Sequence, residues 1–240
     1  MRSTSFSRLM ICVVAFVATQ AVAAVPPAPK LPADAYFLMD ATTGQVLVDH
    51  NGDLSLPPAS LTKIMTSYVL AEEVDAGRAS LDDMIKVSRN AWSQNPAFRG
   101  SSLMWIEPGK PVSLGDLERG VVISSGNDAS VAVAEHLAGT ESSFVDVMNQ
   151  LGAELGLDNT VYRNPHGLPH PEHRTTARDL ATLSVALING HPEHYKIYKE
   201  QSFTYNGIKQ YNRNSLLRSD ASVDGLKTGY TSEAGYGLVA

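Results

Sequence analysis

Apolar positions recur along this chain with two periods, and the changes between them mark strand-rich ends around a helical middle. Tyr36 to Asp40 and Gln45 to Asp49 are short β-prone runs with Thr42-Thr43-Gly44 between them, which predicts a hairpin. Asn51-Gly52 then turns the chain. Leu61, Ile64, Met65, Tyr68 and Val69 recur at three- and four-residue spacing, which predicts an amphipathic helix ending near Gly77. Residues 90–107 are polar and aromatic with no clean period and read as a long loop, in which Trp92, Phe98 and Trp105 are packing residues. Ser113-Leu114-Gly115-Asp116 has capping-box spacing and opens a helix through Val122. A second apolar-periodic run covers Ala129 to Leu137. Ser142 is expected to cap a helix carrying Phe144, Val147, Met148, Leu151 and Leu155, and Thr176 one carrying Leu180, Leu183, Ala186 and Leu187. Gln201 to Tyr205 and Ile208 to Tyr211 flank Asn206-Gly207, a two-residue hairpin turn. Val223 to Thr231 and Gly235 to Ala240 read as further strands. The whole predicts an α+β fold with a mostly helical lobe inserted between early and late strands.

The first residues stand apart. Arg2 and Arg8 precede an apolar run, Leu9 to Val17, and Ala21-Val22-Ala23 offers a small-residue cleavage site. Residues 1–23 are therefore expected to be a secretory signal peptide, since the run is too short to span a bilayer. Residues 24–33 are a Pro-rich linker, and 34–240 form one catalytic-size domain. The single cysteine, Cys12, lies in the signal, so the mature chain has no thiol or disulfide chemistry. Of 19 basic residues, Arg2 and Arg8 leave with the signal; the remaining 17 face 25 acidic ones, a formal net charge of −8. An acidic exported chain with scattered Lys and Arg is a poor candidate for nucleic acid. Export across the cytoplasmic membrane, to the periplasmic or cell-wall side, is the expected location.

The chemistry starts at Ser60 and Lys63. Two prolines keep the chain extended before Ser60, so the serine falls at the helix start and Lys63 one turn later on the same face. An amine can accept the hydroxyl proton only when neutral, and a free Lys with pKa near ~10.4 is mostly charged at neutral pH. Burial or a second cation would lower that value. Ser-x-x-Lys alone is worthless, with about 0.8 matches expected by chance from this composition. Ser125-Gly126-Asn127 and Lys227-Thr228-Gly229 change the odds: all three motifs together are expected roughly 0.004 times. His170-Pro171-Glu172-His173 and His191-Pro192-Glu193-His194 tempt a metal reading. The proline in each argues against one helix face presenting both imidazoles, so these are expected to be solvated loop residues, with no metal and no cofactor implied.

These motifs, with Ser101-Ser102-Leu103-Met104, Asn127-Asp128-Ala129-Ser130, His166-Gly167-Leu168, Thr176-Ala177-Arg178-Asp179 and Asn212-Arg213-Asn214, make the chain resemble a low-molecular-weight penicillin-binding protein of the D-alanyl-D-alanine carboxypeptidase type, a serine peptidase. The resemblance runs from about Tyr36 to Ala240. It implies a β-lactamase/DD-peptidase-like fold, a five-stranded antiparallel sheet flanked by helices plus a mostly helical lobe. It implies Ser60 as acylated nucleophile, Lys63 as general base and Ser125 as proton relay. Asn127 would orient the substrate amide, Lys227 would keep Lys63 neutral, and Arg213, Thr228 and Gly229 would take part in binding the substrate's terminal carboxylate end. The oxyanion would meet the backbone N–H groups of Ser60 and Tyr230. The implied partners are peptidoglycan stem peptides ending in D-Ala-D-Ala, and β-lactam antibiotics. Gly126 in place of Asp, and no Glu-x-x-Leu-Asn between Asn127 and Lys227, argue against a class A β-lactamase. A transpeptidase, or a wall-binding module that is acylated without turnover, are the competing readings. Relatives of this type continue into a last strand and a C-terminal helix, often with a β domain and an amphipathic anchor. None of these is present before Ala240, so the domain is expected to be incomplete there, and any membrane anchoring would rest on such a segment.

Overall fold

The computed structural model describes residues 27–240, so the expected signal peptide and the first residues of the linker lie outside the described residues. Residues 27–32 are exposed and without regular structure, and residues 33–240 form one compact unit. That unit opens with the expected hairpin, strands β1 (Tyr36–Met39) and β2 (Val46–His50). Asp40 Oδ1 accepts the N–H groups of Thr42 and Thr43 at 2.9 and 2.8 Å and closes the turn, with Gly44 at a positive φ.

The chain then enters helix α1 (Lys63–Asp75) through a 3-10 turn, Ala59–Thr62. The amphipathic reading of α1 is corrected here. Every residue from Lys63 to Ala71 is buried, polar Lys63, Thr66 and Ser67 included. α1 is a central helix, packed on by several others, so its polar positions also face protein rather than water. Side chains such as Ile64 and Met65, fully buried, each contribute about 1.5–3 kcal/mol.

Two short strands escaped the sequence reading, β3 (Met84–Lys86) and β4 (Pro111–Ser113), which pair antiparallel across the long loop. Three residues are too few for a period to show. Ser113 caps helix α2 (Leu114–Arg119), its Oγ accepting Asp116 N–H at 3.1 Å. A π-turn, Gly120–Ser124, follows, and Ser125 leaves it in the left-handed region at φ 60, ψ 35. Helix α3 (Asn127–Ala138) starts two residues later. Helix α4 (Glu141–Glu154) is capped by Thr140, whose Oγ1 accepts Ser143 N–H at 3.1 Å, and not by Ser142 as the spacing suggested. Thr176 caps helix α5 (Ala177–Gly190) as expected. Helices α3, α4 and α5 all pack on α1.

A one-turn helix, α6 (Pro192–Tyr195), covers the second His-Pro-Glu-His segment. The solvated-loop reading of these segments therefore fails for three of the four histidines: His173, His191 and His194 are buried, and His170 alone is exposed. Strands β5 (Ser202–Tyr205) and β6 (Ile208–Tyr211) form the Asn206-Gly207 hairpin, both turn residues at positive φ. Strands β7 (Lys227–Thr231) and β8 (Gly235–Val239) complete the described chain. All four ladders among the described residues are two-stranded and antiparallel. The class and the pairing sense agree with the α+β expectation, while the single five-stranded sheet implied by the resemblance is represented among the described residues by four separate two-stranded ladders.

Candidate active site

Ser60 stands in the 3-10 turn that runs into α1, where backbone N–H groups have no helical acceptor. The turn is tight. Ala59 has φ 48, a left-handed conformation that an alanine adopts only when its surroundings hold it. Gly167 is one such surrounding: a Cβ at that glycine would lie 1.8 Å from Ala59 O. Gly229 is another, since a Cβ there would meet Ser60 N and Leu61 Cγ at 3.2 Å; a bare backbone lets β7 lie against the serine turn.

Lys63 Nζ is 3.2 Å from Ser60 Oγ, 2.7 Å from Asn127 Oδ1 and 2.6 Å from the carbonyl oxygen of His166. Its side chain is only 1% exposed. Burial pushes the amine well below its ordinary pKa, the Lys227 and Arg213 charges push it further, and Asp128 pulls back. Burial thus outweighs the second cation that the sequence reading made responsible. A neutral amine has two N–H bonds and one lone pair. The two shortest contacts are to oxygens that can only accept, so they take both hydrogens and leave the lone pair aimed at the Ser60 hydroxyl.

The second half of the site hangs from the π-turn and β7. The left-handed Ser125 brings its Oγ to 3.0 Å from Lys227 Nζ, which also reaches Thr228 O at 3.1 Å. Lys227 is buried, and burial, then Arg213, lowers it to about 7. Arg213 Nε lies 3.5 Å from Ser124 O. Ser60, Ser125, Asn127, Arg213, Thr228, Gly229 and Tyr230 all line one cavity of about 1000 Å³, with both lysines buried in its wall. Every site residue named from the sequence is thus brought to one place.

Other groups were not foreseen in these roles. The Asp128 carboxylate, fully buried, accepts N–H from Met104 (2.8 Å), Trp105 (2.8 Å), Ile106 (3.2 Å) and Ala129 (2.9 Å), fixing the loop over the cleft to the start of α3. Burial raises its pKa against the pull of those amides. His166 supplies the carbonyl that orients Lys63. Its ring Nδ1 accepts Leu168 N–H at 3.1 Å, and its pKa is lowered, chiefly by burial. The tripeptide His166-Gly167-Leu168 was in view as a motif, but its backbone role needs the folded partner to be seen.

Comparison with solved structures gives penicillin binding protein 5 from Haemophilus influenzae at 44% identity and a TM-score of 0.85, covering 88% of this chain and 61% of that one. Penicillin binding protein 6B from Escherichia coli follows at 48% identity and the same TM-score of 0.85, covering 88% of this chain and 67% of that one. The fold is therefore that of the penicillin-binding DD-peptidases. The chain belongs to the D-alanyl-D-alanine carboxypeptidase family of serine peptidases, whose profile matches residues 20–240. Among curated proteins it is 50% identical over 228 residues to the D-alanyl-D-alanine carboxypeptidase DacC of Escherichia coli, covering 94% of this chain and 56% of that protein. It is 46% identical over 218 residues to DacA of the same organism, covering 90% and 54%. The chain spans about half the length of the curated relatives it matches.

Proposed function

We propose that residues 34–240 carry the catalytic domain of an exported serine-type D-Ala-D-Ala carboxypeptidase, which removes the terminal D-alanine of peptidoglycan stem peptides and is inhibited by β-lactams. The observation that carries this reading is the buried Lys63 Nζ, 3.2 Å from Ser60 Oγ and held at 2.7 and 2.6 Å by Asn127 Oδ1 and the carbonyl oxygen of His166. Membership of the family and the fold of its penicillin-binding relatives support it.

In this reading Ser60 Oγ attacks the carbonyl carbon of the penultimate D-Ala while its proton passes to Lys63 Nζ. The negative charge that forms on the carbonyl oxygen is met by the N–H groups of Ser60 and Tyr230. Asn127 Oδ1 is held by Lys63, which leaves its Nδ2–H₂ to orient the substrate amide. Ser125, bonded to Lys227, hands its proton to the departing nitrogen as the C–N bond breaks and regains one from Lys63, so D-alanine leaves and the Lys63 amine is neutral again. Water then cleaves the acyl-serine ester, Lys63 taking the water's proton and returning it to the departing Ser60 Oγ, so one difficult amide cleavage becomes two easier steps. Arg213, Thr228, Gly229 and the Lys227 charge form the seat for the free terminal carboxylate. Substrate lies on the cell-wall side of the membrane, which agrees with an exported chain. Among the described residues no helix is long and apolar enough to cross a membrane.

Incubation of the protein with diacetyl-Lys-D-Ala-D-Ala is expected to release free D-alanine, and Ser60→Ala is expected to abolish both that release and uptake of labelled penicillin. Rapid nitrocefin turnover would favour a β-lactamase instead. A persistent adduct without D-alanine release would favour an acylated binding module.

A further inference from the structure

Behind the serine turn, on the side away from the cleft, lies a buried chain of hydrogen bonds that the mechanism above does not use. Thr62 Oγ1 donates to the carbonyl oxygen of Ala59 at 2.8 Å. The same hydroxyl lies 3.0 Å from His173 Nε2, and His173 Nδ1 lies 3.4 Å from the backbone nitrogen of Arg163. Thr62 is 1% and His173 2% exposed. The direction of each bond follows from what each atom can do. Ala59 O can only accept, so it takes the one Thr62 hydrogen. Thr62 Oγ1 must then accept from His173, which puts the imidazole proton on Nε2. That leaves Nδ1 bare, facing a group that can donate to it, the Arg163 N–H. The ring is thus a single neutral tautomer with both nitrogens in use. Burial first, then His166, His170, Arg163 and Arg174, hold its pKa down at about 3, so it stays neutral at any working pH.

The imidazole is itself firmly seated. Tyr162 packs edge-on against it with centroids 5.8 Å apart. The next residues along are sutured on both sides: Arg174 exchanges backbone bonds with Val161 at 2.8 and 3.1 Å, and Thr175 with Leu56 at 2.9 Å each way. Leu56 leads directly into the Pro57-Pro58-Ala59-Ser60 segment. We propose that His173 is a positioning residue for the nucleophile: acting through the Thr62 hydroxyl, it holds the Ala59 carbonyl and so fixes the left-handed turn that aims both the Oγ and the N–H of Ser60. Gly167 presses on that carbonyl from one side and the His173–Thr62 pair ties it from another, which is why an alanine can stay at φ 48. A sequence carrying His-Arg-Thr-Thr-Ala-Arg-Asp gives no hint of this, because Thr62 and His173 are 111 positions apart.

The role rests on Ser60 being the acylated residue, and acylation kinetics with a fluorescent penicillin separate the two ideas. Such kinetics divide reversible binding from the bond-forming rate constant. His173→Leu is expected to lower the bond-forming rate constant by about 10- to 100-fold, the loss typical of a small misplacement of reacting atoms, while reversible binding stays within about twofold. His173→Gln, whose amide can both donate to Thr62 and accept from Arg163, is expected to restore most of the rate. Thr62→Val is expected to match His173→Leu, Thr62→Ser to match wild type, and the Thr62→Val/His173→Leu double variant to be no slower than either. Melting curves establish that each variant is folded at the assay temperature. A folded His173→Leu with an unchanged rate constant, a Gln variant as slow as Leu, or additive losses in the double variant would overturn the role. Should His173→Leu fail to fold, the imidazole ¹⁵N spectrum of the wild-type protein decides: an Nδ1–H tautomer, or a ring titrating between pH 5 and 8, overturns it. A wild-type chain that takes no label at Ser60 sinks the proposed function and this role with it; a labelled wild type with an unaffected His173→Leu sinks this role alone.

Discussion

Helix α1 carries a buried polar cluster at each end, and the two are built on opposite principles. At its start Lys63 and Lys227 lie in the protein wall with Arg213 nearby, and burial drives both amines toward the uncharged form, against the pull of Asp128 on Lys63. At its end, Glu72 and Asp75 meet His191 at 3.1 and 2.6 Å, and Glu118 from α2 meets His194 at 2.5 Å. Burial also works against charge on His194, but the hydrogen bond to Glu118 and the charges of Glu118 and Asp75 outweigh it, and its pKa is raised. Burial thus prevails at the first end, while at the second, where Glu72 and Asp75 are partly open to solvent, hydrogen bonds and carboxylate charges prevail over it. At the first end the neighbouring cations add to burial, and at the second the carboxylates oppose it, which in the proposed function suits the first cluster to proton transfer and the second to holding the fold.

The strongest way to break this contrast is Lys63→Ala. Removing the amine that lies 3.2 Å from Ser60 Oγ is expected to slow acylation by about 10³-fold or more, read with labelled penicillin, with the protein still folded. At the other end, His194→Leu leaves Glu118 fully buried and uncompensated, and is expected to cost about 3–5 kcal/mol in denaturant unfolding. Pairing it with Glu118→Leu should recover most of that loss, whereas a stability deficit that persists in the double variant would mean that packing, not charge, holds this end together.

A pH profile sharpens the comparison further. The proposed mechanism needs Lys63 neutral and Lys227 charged. The acid limb of kcat/KM therefore follows protonation of Lys63, and the alkaline limb follows loss of the Lys227 proton near pH 7 in the free protein. A bound carboxylate favours the Lys227 cation, so the alkaline limb of kcat should lie higher than that of kcat/KM. Stability runs by the other end. The folded-state pKa of His194 is raised, so its contribution is complete below the unfolded value of about 6.5 and fades as pH climbs through the folded one. The stability gap between wild type and His194→Gln, followed by urea melts, should narrow over that interval. The smallest effect belongs to the exposed pair Lys196–Glu193, at 2.6 Å: Lys196→Ala is expected to change stability by less than about 1 kcal/mol.

How much of this could be read in the sequence depended on how local the determinant was. The hairpin turns, the Ser113 and Thr176 caps and the three catalytic motifs are each set by residues within a few positions of one another, and all appear where they were expected. Lys63 was placed beside Ser60 by helical spacing alone. What escaped depends on distant partners. The all-round burial of α1 follows from three other helices. Asp128 is held by amides at 104–106, and His173 by Thr62. The burial of His191 and His194 comes from carboxylates on α1 and α2 that no tetrapeptide can announce. The π-turn before Ser125 left no periodic trace either, because a single wide turn is shorter than the period it interrupts.

Gly167 has a consequence for the evolution of antibiotic resistance. A target under drug pressure commonly escapes by remodelling the walls of its binding cleft, and rim positions such as Tyr236, 91% exposed, leave ample latitude for that. At residue 167 even one methyl group would collide with the Ala59 carbonyl, so under the proposed function a replacement there that kept out a drug would also disturb the Ser60 turn. That site is closed to selection, and an inhibitor whose grip is concentrated on its backbone would leave the bacterium no mutation there to find.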